Sequence, residues 1–142
     1  MHDEEGLYRN VRNDPHNFAG EGADWRVSQA AFGDRSRQPS VDRAWLRDYE
    51  PRNSQHDPAD CVVCLVAQDV RTVRDVAPRE VDVVPDPVLD HHILPDNPAH
   101  ALVVTDPALD NNSQFRRLKR ALAKRCTVMI MPGGATPESG SA

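Results

Sequence analysis

Three of the six histidines, His91, His92 and His100, fall within residues 91–104, together with two prolines and an Asp96-Asn97 step. Pro95 and Pro98 fix φ and lack an N–H, so neither sits inside a helix or a central strand. Asp96 and Asn97 bond readily to their own backbone, which is turn chemistry. The apolar run at 101–105 reads as a buried strand with His100 held at its mouth. A histidine at a rigid strand entry can act as a base, a ligand or a simple structural donor.

Cysteine and histidine offer two further chemistries. Cys61 and Cys64, with His91 and His92 or with His56 and His100, have the types needed for zinc. The cysteines lie in the apolar run 61–67, however, and residues three apart on a strand point to opposite faces. Buried structural cysteines are therefore the simpler reading, and neither a metal nor a cofactor is expected. Cys64 as nucleophile with His100 as base is a second arrangement, but a thiol flanked by Val and Leu lacks the helix dipole or imidazole that lowers its pKa. A third constellation joins Arg9 and Arg26 on neighbouring strands with Ser28 and His100. Arginine forks match phosphate, and Ser and His can orient a ribose, so a nucleotide-like or phosphate-bearing ligand is the substrate class it implies. On this reading His100, Ser28 and Arg9 are catalytic, and Arg26, Asp96 and Asn97 bind.

The fourth feature is residues 113–126. Phe115, Leu118 and Leu122 fall on one helical stripe, and Arg116, Arg117, Lys119, Arg120, Lys124 and Arg125 cover the remainder. Removing those six cations from the seventeen leaves eleven against twenty-two acids, a net of −11 beside a helix of +6. A docked helix with a solvated basic face is the ordinary account, helped by cations near its C-terminus. The asymmetry also makes this helix the expected contact for a protein partner. Two lysines, no interleaved aromatics and an acidic body argue against nucleic acid.

These residues need a frame. The chain has 142 residues, enough for one modest core, with 39% hydrophobic and 5% aromatic residues. Twelve prolines, and Asp-Pro steps at 14–15, 57–58, 86–87 and 106–107, mark a loop-rich chain. The excess of Arg over Lys suggests a bacterial source. With no run of eighteen apolar residues and an acidic start, neither a membrane span nor a secretory signal is expected, and three cysteines suit the reducing cytoplasm.

Strands are expected at 7–11, 61–67, 80–84, 101–105 and 127–131, with residues 25–32 a strand or a strand turning into a helix. Ser40 reads as the N-cap of a helix over 41–50, residues 68–77 as a short helix, and Ser113 as the cap of a helix over 114–125. The result is one α+β domain over 7–131, a small mixed or antiparallel sheet with two to three helices. Residues 1–6 and 132–142 are expected to be disordered, and Val63, Leu65, Leu102, Val104, Leu118 and Ile130 to share the core.

Four segments carry a resemblance: Leu-Tyr-Arg at 7–9, Ser-Gln-Ala-Ala-Phe at 28–32, Ser-Val-Asp at 40–42 and Asn-Pro-Ala-His at 97–100. In this order they resemble a family of small bacterial proteins without an established activity, so the resemblance supplies positions and no chemistry. The order of Arg9 and Ser28 is also similar to that in ADP-ribosyltransferases. Their late catalytic Glu has no counterpart, because Glu80 precedes the Asn-Pro-Ala-His segment and Glu138 lies in the tail. The favoured function is a small cytosolic accessory or interaction module. The contending one is an enzyme or binder of a nucleotide-like ligand.

Overall fold

Leu7, Arg9 and Val11 share one face of a strand and Tyr8 and Asn10 the other, so Gly6–Val11 (β1) must bury both sides. The computed structural model describes residues 1–137 and places β1 inside a six-stranded antiparallel sheet. One flank of β1 pairs with Ser40–Arg43 (β4), then His100–Asp106 (β7), then the edge strand Glu80–Pro85 (β6). Its other flank pairs with Cys61–Val66 (β5) and then Thr127–Ile130 (β8). A separate two-stranded ribbon joins Phe18–Ala19 (β2) to Arg26–Val27 (β3). The class is mixed α+β.

One sheet face carries Leu7, Val11, Val41, Val63, Leu65, Val81, Val83, Ala101 and Val103. Ala67–Arg71 (α1) and Asn112–Arg125 (α2) join that core through Val70 and through Phe115, Leu118, Ala121 and Leu122. A 3-10 turn, Gln29–Phe32, adds the fully buried Phe32. The opposite face is thinner. Tyr8, Val62 and Ile130 pack there with Ala44, from the 3-10 turn Ala44–Arg47. Over β7 and β6 that face stays open, with Leu102 and Val104 half-buried and Val84 exposed.

The differences from the expected elements are instructive. Residues 41–50 form no α-helix: Ser40–Arg43 is a strand and only a 3-10 turn follows. Pairing on both flanks, Tyr8 opposite Asp42 and His100 opposite Asp42, satisfies this backbone and overrides the helical spacing of Val41 and Trp45. Trp45, in the turn that follows, is 47% exposed. Leu102 and Val104 leave the core to Ala101 and Val103, because an unbroken apolar run fixes no phase and pairing sets it. Residues 25–32 take the second of their two forms, a short strand running into a turn. Asn111, not Ser113, caps α2, its side chain accepting from the Gln114 N–H.

The chain ends make contacts where disorder was expected. Arg43 clasps Glu5, and Arg71 reaches Asp3. Met131 N–H donates to Ala135, and a side chain on Gly134, at φ +92, would strike the Pro58 carbonyl. Residues 138–142 of the expected tail lie outside the described residues.

Leu118 is fully buried, so Leu118→Ala should cost about 2–5 kcal/mol in urea unfolding. Leu102→Ala, on the open face, should cost less than about 1.5 kcal/mol. Equal losses would contradict the facing of β7.

Candidate functional site

Residues 86–99 leave the β6–β7 hairpin as an arm. Val88 and Asn97 bridge it, each N–H donating to the other's carbonyl at 3.0 and 2.7 Å. Asn97 is a hub: its Nδ2 donates to Asp42 Oδ1 at 2.9 Å, and its Oδ1 accepts from Arg47 Nη2 at 2.8 Å and from Ala99 N–H at 3.1 Å. Asp96 is spent on the Asp90 N–H. His100 Nδ1 lies 2.9 Å from the Asp86 carbonyl and 3.2 Å from its carboxylate, so the tautomer with the proton on Nδ1 donates to Asp86. Of the three residues expected to bind, Asp96 is thus engaged within the arm and Asn97 ties the arm to Asp42 and Arg47.

Tyr8, Asp42 and His100 are successive cross-strand neighbours on β1, β4 and β7. With Ser40, Asn10 and Asn97 they border a cavity of about 150 Å³. Segments 7–9, 40–42 and 97–100 thus converge in space. The cavity is well below the roughly 300–1,000 Å³ of small-molecule sites, so it does not accommodate a nucleotide.

Arg9 borders the same cavity, but its guanidinium is engaged elsewhere. Nε donates to the Ala31 carbonyl at 2.8 Å, Nη1 to Ser40 at 2.7 Å and Nη2 to Gly33 at 2.9 Å. Its carbon lies 5.5 Å from the Phe32 ring centre. Burial lowers its pKa to about 10, against the opposing pull of Asp34. Ser28 Oγ donates to the His16 carbonyl, and Arg26 Nη1 to the Asp24 carbonyl. Arg9, Ser28 and His100 are each engaged separately, and Ser28 borders neither cavity that Arg9 does.

The cysteines lack activation. Burial pushes Cys61 up to about 12 and Cys126 to about 11, and raises Cys64 despite a backbone hydrogen bond from Leu7. Cys64 is therefore a protonated thiol, unsuited to attack with His100 as base. His91 stacks on His92 with ring centres 4.7 Å apart, and its Nδ1 accepts from the Ile93 and Leu94 N–H groups. Among the described residues no three His, Cys, Asp or Glu side chains are grouped to hold a metal ion. No described helix is long and apolar enough to cross a membrane.

Arg9 also borders an open hollow of about 810 Å³ with Arg12, His56 and Asp60, and a separate concavity lies beside α2. Residues 33–38 and the first turns of α2 enclose a groove of about 680 Å³ beside the end of β7. Its cationic lining is Arg35, Arg37, Arg116 and Lys119, against the single carboxylate of Asp34, and Leu109 and Phe115 supply an apolar floor. Arg37 adopts φ +60 and donates through Nε and Nη2 to Asn112 Oδ1, tying the loop to the helix start. Lys119 Nζ sits 4.7 Å from the Phe115 ring centre, and burial first, then Arg116, lowers its pKa. Arginines 43, 47, 71 and 79 are ion-paired, whereas among the described residues no ion pair engages these four cations. The sequence pointed to the helix but not to Arg35 and Arg37. Their proximity to it is a tertiary fact, with local charge the one available clue.

An α+β sheet protein with a cationic groove beside its longest helix is the class that fold and site define. No protein-family model, no curated protein and no solved structure matches the chain.

Replacing Arg9 with Met strands three carbonyls, each worth about 1–3 kcal/mol if left unpaired. The variant should lose about 3 kcal/mol or more in urea unfolding, and a loss within about 0.5 kcal/mol would contradict the clamp. The thiols give a pH prediction. Cys61 holds its proton to about 12 when folded, while the unfolded thiol ionises from its ordinary 9.0. Its contribution is therefore complete below pH 9 and is lost as pH rises toward 12. Stability measured across that window should fall, and Cys61→Ala should flatten the slope.

Proposed function

We propose that the protein is an interaction module whose cationic groove docks an acidic segment of a partner protein. The observation that carries this is the groove lining: four cations that no ion pair engages among the described residues face one carboxylate over an apolar floor, on a chain of net charge −5. On the sheet, Asp42, Arg43 and Asp82 are paired internally, whereas the groove gathers four cations that an incoming carboxylate can meet. Arginine forks hold carboxylates with two parallel hydrogen bonds, and a half-enclosed site screens them less than open water. The concavity lies within the range of built binding sites.

Nucleic acid fits less well. A single strand needs exposed aromatic platforms along a basic track, and Phe115 is only 5% exposed. The acidic remainder of the chain repels a polyanion that extends beyond the groove. Three free thiols make the reducing cytoplasm the natural setting. The nucleotide-handling alternative draws no support from Arg9, Ser28 and His100, whose polar groups are satisfied apart from one another.

A labelled peptide of alternating acidic and leucine residues should bind the protein in fluorescence anisotropy. Its affinity should drop about tenfold or more between low and high salt. Arg116→Glu with Lys119→Glu should abolish binding and leave the circular dichroism spectrum unchanged. An absence of binding at low salt contradicts the proposal.

A further inference from the structure

The arm at residues 86–99 has the composition the groove lacks. It carries Asp86, Asp90 and Asp96 and no Lys or Arg. It also exposes large apolar side chains: Leu89 is 57% exposed, Ile93 75% and Leu94 51%. Exposed apolar groups gathered in one element mark a contact surface. The arm is a built knob, not a slack loop. The Val88–Asn97 bridge closes its base, Asp96 fixes Asp90, and His91 Nδ1 accepts the Ile93 and Leu94 N–H groups at 3.1 and 2.9 Å. Such internal bonds settle the ordering entropy before any partner arrives.

Knob and groove are complementary. The arm brings three carboxylates and exposed apolar side chains, and the groove offers an apolar floor, Leu109 and Phe115, bordered by guanidinium and ammonium groups. A central apolar anchor with a charged rim is the usual distribution of contact energy. The two cannot meet within one chain. The arm springs from the His100 end of β7, and the groove lies beside Thr105. At about 3.3 Å per residue these points are roughly 17 Å apart, and the knob projects beyond the His100 end.

We infer that the occupant of the groove is the 86–99 arm of a second copy of this chain. This rests on the groove reading above and names its ligand. Because arm and groove lie toward opposite ends of one strand, two copies laid antiparallel satisfy both contacts at once, giving a closed pair with a self-complementary interface.

Sedimentation velocity at low salt, taken up to millimolar concentration, should show a species of twice the 15.8 kDa chain mass that dissociates at high salt. Ile93→Ser should weaken the pair at least tenfold without lowering the melting temperature. Charge reversal gives the stricter test. Asp86→Lys with Asp90→Lys makes arm and groove both basic, and Arg116→Glu with Lys119→Glu makes both acidic. Each protein alone should be monomeric, and an equimolar mixture should restore the pair. A wild-type monomer at every concentration, or a mixture that stays monomeric, overturns the second-copy inference. If the acidic peptide still binds that monomer, the groove reading stands and its ligand is a foreign segment. If it does not, both fall.

Discussion

A buried guanidinium has five N–H groups and no means of shedding its charge near neutral pH, so it dictates where carbonyls must go. Arg9 sits in that position at the core face of β1, still protonated with a pKa of about 10. The carbonyls it collects belong to Ala31, Gly33 and Ser40. Gly33 and Ser40 bracket residues 34–39, the segment that bears Arg35 and Arg37. One inward arginine therefore fixes both ends of the loop from which two outward arginines act. It also seats Phe32 in the core and sets the entry to β4. Beyond that bracket the groove wall is held by the Val103 N–H donating to the Pro39 carbonyl and by the Arg37–Asn112 contact.

The chain's remaining charge is organised around separation. Arg43 with Glu5, Arg71 with Asp3 and Asp82, and Arg79 with Asp110 neutralise one another at the sheet margins. Singly, such pairs add little to stability. Their consequence is topographic: they leave a cationic groove at one end of β7 and an acidic, apolar knob at the other. The open face of β7 and β6 lies between.

Much of this was legible in sequence, and the failures have identifiable causes. β1, β5, β6, β7 and β8 announced themselves by alternation or by apolar runs between turn residues. β4 did not, because Ser40–Arg43 is short and the helical spacing beyond it was accidental; only its two neighbours make it a strand. Leu102 and Val104 read as core in sequence because a run without polar residues gives no phase. His100 opens β7, as the turn before it implies, but its partner Asp86 lies across the hairpin, beyond the reach of spacing arguments. Arg9 stood out as an arginine on a strand. That it faces inward, onto carbonyls instead of a ligand, follows from the register of β1 with β5. The basic helix was visible by charge counting, and its completion by residues 33–38 depends on a fold that local pattern does not encode.

The groove depends on an arginine outside its lining. Arg9→Lys keeps the charge and cannot reach three carbonyls at once. The direct measurement is the affinity of this variant for the acidic peptide, with near-ultraviolet circular dichroism verifying that the core is intact. The variant should lose about tenfold in affinity, corresponding to about 1.4 kcal/mol, although Arg9 does not line the groove. Binding equal to wild type in a folded Arg9→Lys protein would contradict it.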